Sequence, residues 1–312
     1  MLTDAKYNQW LSDVGTTFRP QRQWVEGRGL FLIIGHFLSG IGAGTWLFSL
    51  WFGYRPGLLI AIAVVSLGGL AHLLFLGRPG RFWKMFRPQT SWIARGFIGM
   101  NLFLLGALLY VLPRLVSRMP WEIDGLLDYG SLALSLVGAV ILMVYKGNVY
   151  AASKGVPFWD SPLLPVLYIA YALRGGVAMI LASLPLSGVA ADAKMAAIIE
   201  LWIAVSAAVM VAFYLAVMRN TNVTSRRSVY ELTRGYVSGP FYLGTILVGL
   251  VVPIAAGLVG FVHPLSVALI AVVGLFSLIG DFFAKYTIVK SGIYIPVLPA
   301  GMTAVRQRSS EA

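Results

Sequence analysis

Eight residues with side chains that carry charge or exchange protons sit where the chain is otherwise apolar: His36, His72, Arg95, Tyr145, Lys146, Arg174, Asp281 and Lys285. Ionisable groups inside membrane-length hydrophobic runs are costly and mark functional candidates. Counted along helices that rise about 1.5 Å per residue, all except Arg174 fall roughly 6 to 12 Å below one and the same membrane surface. Arg174, in Tyr171-Ala172-Leu173-Arg174-Gly175-Gly176, falls near mid-bilayer instead, with Asp281 or Glu200 as counter-charges.

A layer holding an imidazole and a phenol beneath a lipid-accessible surface suits a quinone. The quinone carbonyls accept hydrogen bonds from His and Tyr, the ring and tail pack in apolar walls, and an imidazole titrates near neutrality. Other readings use the same residues. His36 and His72 occupy similar depths on adjacent spans and are placed for a haem b between them. Asp281 and Lys285, four apart with the acid first, form a favourable helical ion pair. Lys146 and Arg95 lie near enough to the surface to snorkel, and a single buried His or Tyr is commonly a packing residue. The polar layer together with Arg174 also suits a transporter, although the inverted repeats and interrupted helices usual there are not visible. The chain has no cysteine, which excludes a disulfide framework, a Cys-ligated zinc and an iron–sulfur cluster held by this chain alone. No catalytic set and no metal site of its own is expected.

The elements that must position these residues are membrane helices. Of the 312 residues 58% are hydrophobic and 12% charged, with a mean hydropathy of +0.80, far more apolar than a soluble domain. Each crossing needs about 20 apolar residues. Spans are predicted near 30–52, 57–77, 91–113, 128–152, 161–184, 196–218, 240–262 and 264–289, the last two meeting at His263-Pro264. The reading is an all-α integral membrane protein of eight transmembrane helices: an N-terminal tail (1–29), a membrane domain (30–290) and a C-terminal tail (291–312). Residues 1–29 are polar, mixed in charge and carry Trp10 and Trp24, unlike a cleavable signal peptide. Gly40, Gly42 and Gly44 in the first span predict a close helix contact.

A net charge of +12 would suggest nucleic acid in a soluble protein, but here the basic residues sit in short loops and report orientation. Lys6, Arg19, Arg22, Arg28, Arg78, Arg81, Lys84, Arg87, Lys154, Arg219, Arg226, Arg227, Arg234, Lys290, Arg306 and Arg308 fall on one side. The other side receives Arg55, Arg114, Arg118 and Lys194, together with Glu122, Asp124, Asp128 and Asp192. Both termini are therefore expected in the cytoplasm, with the chain in the cell inner (cytoplasmic) membrane.

The stretch Gly77-Arg78-Pro79-Gly80-Arg81-Phe82-Trp83-Lys84-Met85-Phe86-Arg87-Pro88-Gln89-Thr90-Ser91-Trp92-Ile93-Ala94-Arg95-Gly96 resembles the signature loop of the NrfD/PsrC family, membrane anchors of molybdopterin oxidoreductases. His36-Phe37-Leu38-Ser39-Gly40-Ile41-Gly42-Ala43-Gly44 is similar to the family's first helix. Tyr145-Lys146-Gly147 with Pro157-Phe158-Trp159-Asp160-Ser161-Pro162 is similar to its fourth-to-fifth helix region. The resemblance implies an eight-helix PsrC-like bundle that exchanges electrons between a quinone, menaquinone or ubiquinone, and a ferredoxin-like iron–sulfur subunit. That subunit would be bound to a catalytic subunit carrying a molybdenum bis-pterin cofactor, with no haem in this chain. It also implies that His36 and Tyr145 contact the quinone. Two departures follow: Ile33 stands where the polysulfide-reductase type has an asparagine, and Gly77 stands at an acidic position of a proposed proton path, which is not carried over. His72, Arg95, Lys146, Arg174, Asp281 and Lys285 remain candidates for a quinone or proton path. Arg78, Arg81, Trp83, Lys84, Arg87 and Trp92 are candidates for docking the iron–sulfur partner. With catalytic partners in the cytoplasm, the chain resembles the anchors of SoeC-type sulfite dehydrogenases more than those of the exported polysulfide reductases.

The charge distribution makes a direct prediction. A green fluorescent reporter fused after Ala312 is expected to fluoresce, and a phosphatase active only outside the cytoplasm to be silent there; the opposite pattern would reverse the orientation.

Overall fold

The computed structural model describes residues 18–116, 120–187 and 193–296. Lys6, Arg118, Asp192, Arg306 and Arg308 of the charge count lie outside the described residues, as do Trp10 and most of both tails. In chain order the elements are β1 (Arg19–Pro20), α1 (Gly29–Trp51), α2 (Arg55–Phe75), a 3-10 turn (Pro79–Met85), α3 (Trp92–Leu115), α4 (Leu126–Ala151), α5 (Leu163–Ser187), α6 (Ala193–Thr221), α7 (Val223–Thr233), α8 (Ser238–Val262), α9 (Val267–Lys290) and β2 (Ile293–Tyr294). All the helices except α7 are long and apolar enough to cross a membrane, which makes eight candidate spans.

Helix ends follow local chemistry. Ser91 and Ser266 cap α3 and α9 by accepting from the amides of Ala94 and Leu269, each at 3.3 Å, and Asn222 caps α7 by accepting from Ser225 at 2.8 Å, satisfying donors that helix starts leave orphaned. The last two spans do not meet at His263-Pro264 as expected. His263 is extended, with φ −124° and ψ 118°, because a residue before proline disfavours the helical region, and α9 starts only after the Ser266 cap. Helix α7 occupies a stretch read as loop; it is too short and polar to cross and lies against the end of α6.

Helix α1 is central, packing on α2, α4, α5 and α9. Its glycines face two neighbours. A Cβ at Gly42 would stand 2.6 Å from Cγ2 of Val65 on α2, and one at Gly176 on α5 would stand 2.6 Å from Cα of Gly44. Those two backbones touch, so neither position accepts a side chain.

The bundle's other half is held by one guanidinium. Arg174 of α5 is wholly buried. Its Nε donates to Oε1 of Glu200 on α6 at 3.0 Å, Nη1 to Oδ1 of Asp281 on α9 at 2.7 Å, and Nη2 to Oγ of Ser277 on α9 at 3.0 Å and to the carbonyl of Gly249 on α8. Ser277 also donates to Glu200, at 2.6 Å. Gly249 lies in a wide-turned π-helical stretch, Phe241–Val251. The fork of fixed guanidinium donors suits this four-helix junction.

On the face that holds both described chain ends, β1 pairs antiparallel with β2, Arg19 opposite Tyr294. The last carbonyls of α9, which a helix end leaves without partners, are taken by side chains from elsewhere. Gln21 Nε2 donates to Val289 at 2.6 Å, Trp159 Nε1 to Ile288 at 3.2 Å and Tyr236 OH to Lys290 at 2.9 Å. Partial burial, then Glu231 and Glu26 nearby, push the Tyr236 phenol up to about 12, so it stays a donor at neutral pH. On the opposite face Arg114 and Asp128 form a two-pronged pair, 2.5 and 2.8 Å, that fastens α3 to α4.

Removing one partner of a buried ion pair leaves uncompensated charge and costs about 3 to 5 kcal/mol. Arg174→Met is therefore expected to unfold in detergent micelles at a distinctly lower denaturant concentration than the wild type. Adding Glu200→Gln and Asp281→Asn should recover much of the loss, and a single variant as stable as wild type would contradict the clamp.

Candidate functional site

Four titratable rings from three helices meet in the half of the bundle that α1 shares with α2 and α4. His36 and Tyr145 are buried and His72 is partly so. The His36 ring centroid lies 5.2 Å from His72, 5.6 Å from Tyr145 and 5.4 Å from Tyr150, the two tyrosines edge-on. Helical periodicity explains the meeting: His36 is on the face of α1 that packs on α2 and α4, and Tyr145 and Tyr150 stand on the α4 side of the same seam.

The hydrogen bonds cross. His36 Nδ1 pairs with the Tyr150 hydroxyl at 2.9 Å, and Tyr145 OH faces His72 Nε2 at 3.4 Å. His72 Nδ1 donates to the Gly68 carbonyl at 2.7 Å. A carbonyl only accepts, so the proton of the neutral His72 ring is on Nδ1 and its Nε2 is an acceptor for Tyr145. Tyr150 is the site residue that sequence reasoning missed. The available signal was its position five residues after Tyr145 with Trp159 close behind: Trp24, Tyr150 and Trp159 meet in tilted and edge-on contacts at 5.3 to 5.5 Å and roof the site. The Pro157–Pro162 motif thus supplies the roof.

The other predicted residues divide. Lys146 is buried rather than snorkelling, with Nζ 5.6 Å from the Tyr145 ring and no hydrogen bond among the described residues. Arg95 turns away, toward the surface, donating to the carbonyls of Pro88 and Gln89 at 2.8 and 2.9 Å and stacking 4.2 Å over Trp92. Arg174 and Asp281 belong to the four-helix junction. The expected Asp281–Lys285 ion pair is not formed: Arg174 takes Oδ1 of Asp281, being a multidentate donor already at hand, and Lys285 Nζ lies over the rings of Phe37 and Tyr171 at 5.5 and 5.2 Å. A cation over an aromatic face is stabilised there by the ring quadrupole. Lys285 accordingly stands between the junction and the ring cluster.

Of the docking candidates, Arg78, Arg81, Trp83, Lys84 and Arg87 are exposed around the 3-10 turn, with Lys84 Nζ 5.4 Å over the Trp83 ring. Trp92 is not among them; it is half-buried beneath Arg95. The site's donors do not fit a haem sandwiched by His36 and His72. The two imidazoles are in tilted contact with each other, and each engages a tyrosine.

The chain matches the family described as polysulphide reductase, NrfD, over residues 28–297. Protein NrfD of Escherichia coli K12 is 28% identical over 224 residues, which cover 64% of this chain and 70% of that protein. The NrfD homolog of Haemophilus influenzae is 24% identical over 264 residues, covering 76% and 81%. With the match taking in every membrane helix and the ring cluster they enclose, the chain belongs to the NrfD family of membrane subunits in polysulphide-reductase-like redox complexes.

Proposed function

We propose that this chain is the membrane anchor and quinone-reactive subunit of a molybdopterin oxidoreductase. In that role it passes electrons between an iron–sulfur partner and the membrane quinone pool of the cytoplasmic membrane. The observation that carries the reading is the buried cluster His36–Tyr150 and His72–Tyr145. Tyr145, six residues from the end of α4 at Ala151, lies about 9 Å below that face, beneath the exposed basic turn Arg78–Arg87.

When bound, a quinone supplies two-electron, two-proton chemistry, and the residues here suit its needs. With the Tyr150 hydroxyl donating to Nδ1 of His36, the imidazole proton is held on Nε2 and is available to a carbonyl oxygen. Tyr145 offers a second donor from the α4 side. The aromatic roof of Trp24 and Trp159 keeps water off these groups, where hydrogen bonds are stronger than in water. The exposed basic turn would dock an acidic iron–sulfur subunit. The lopsided basic residues support a cytoplasmic position for that subunit and for the molybdenum bis-pterin subunit, as in the sulfite-oxidising type. Transport draws little support: the one irregular stretch of a spanning helix among the described residues, in α8, has its Gly249 carbonyl occupied by Arg174.

Leaving a buried hydrogen-bonding group without its partner costs about 1 to 3 kcal/mol, and about 1.4 kcal/mol is tenfold in rate. In the assembled complex, His36→Ala is expected to lose about a hundredfold and Tyr145→Phe about tenfold in quinone-linked turnover. Activity with an artificial dye acting on the soluble subunits should stay at the wild-type level. Undiminished quinone turnover in His36→Ala would remove the site.

A further inference from the structure

Between α3 and α4 a cavity of about 280 Å³ opens laterally on the outer surface of the bundle. Ile98 of α3 and Val140, Ile141 and Val144 of α4 form its walls, and Trp92 and Arg95 form its rim. Its floor is Tyr145, whose hydroxyl reaches His72 and whose ring packs edge-on against His36. One phenol therefore stands between an apolar groove at the outer surface and the imidazoles of His36 and His72.

The seam is sealed elsewhere. Toward the opposite face α3 and α4 are in backbone contact: a Cβ at Gly106 would stand 2.7 Å from the Ser131 carbonyl, and one at Gly99 2.7 Å from Cβ of Ile141. The rim is fixed, because Arg95 is tied to two loop carbonyls and stacked on Trp92. The door has room by virtue of one residue: a Cβ at Gly96 would stand 2.7 Å from Cζ of Tyr145, so the ring occupies space that any side chain there would take.

We infer that the α3–α4 groove is the portal and tail seat of an isoprenoid quinone, with the Tyr145 ring as its inner door. The inference rests on the proposed quinone reading and adds where the ligand comes from and what holds its tail. The occupant follows from continuity and chemistry. The walls are aliphatic, as a polyisoprenoid chain requires, and the groove ends on hydrogen-bonding groups that a lipid acyl chain could not use. A larger apolar groove of about 560 Å³, between α6 and α8, includes Leu250, Ile254 and Leu258 but no member of the ring cluster. It provides a control for general effects on lipid contact.

The test uses the complex purified with its partner subunits and two quinols of the same head group, one carrying a long isoprenoid tail and one carrying none. Val140→Trp fills the groove without touching the hydrogen-bonding rings. It is expected to raise KM for the tailed quinol at least tenfold while moving KM for the tail-less one less than twofold, with dye-linked activity intact. Leu258→Trp should change neither. Ile98→Trp is the second variant, used if Val140→Trp is not stably assembled, with the same expectation. Unchanged KM for the tailed quinol, or equal losses for both quinols, would overturn the portal. His36→Ala separates the two ideas: if it lowers turnover with both quinols about a hundredfold while the groove variants are inert, the head-group site stands and the portal falls. If His36→Ala turns over both quinols at the wild-type rate, the quinone reading itself falls.

Discussion

The fully buried guanidinium of Arg174 is the contact on which the arrangement of the membrane domain depends. It joins Glu200 of α6, Asp281 and Ser277 of α9 and the Gly249 carbonyl of α8 to its own helix α5. Burying a carboxylate without a partner is costly. The constraint is therefore mutual: Arg174 cannot be buried without acids, and the acids cannot be buried without Arg174. Because α5 and α9 both also pack on α1, the junction sets the position of the helix that carries His36.

From that frame the ring cluster is assembled by close approach rather than by further charge. Gly44 against Gly176 brings α1 onto α5, and Gly42 against Val65 brings it onto α2. His36 and His72 consequently arrive within 5.2 Å of each other. The amine nitrogens of Lys146 and Lys285 are placed near aromatic rings, while Glu200 and Asp281 bond to Arg174 at the junction.

Much of this was legible in the sequence because membranes impose simple rules. Eight spans follow from apolar run length, and the depth of His36, His72 and Tyr145 follows from helical rise. Glu200 and Asp281 were identifiable as the partners of Arg174 because few other acids lie inside spans. What could not be read depends on which groups compete in three dimensions. Spacing favoured Asp281 with Lys285, but a multidentate guanidinium on another helix takes the acid. Family resemblance singled out His36 and Tyr145, whose rings do meet, but gave no sign of Tyr150, the hydrogen-bond partner of His36 one further turn along α4. Trp92 reads as surface in a basic loop, yet Arg95 covers it. The π-helical stretch of α8 has no hydropathy signature at all.

The central claim is that a quinone head group binds at the His36–Tyr150 and His72–Tyr145 pairs. The most direct measurement is an electron cryomicroscopy map of the complex reconstituted in lipid with an excess of quinone analogue. The account predicts planar density within hydrogen-bonding distance of Nε2 of His36, with the Tyr145 ring displaced from its present contact. Head-group density elsewhere, such as the apolar groove between α6 and α8, with the four rings unmoved, would contradict it.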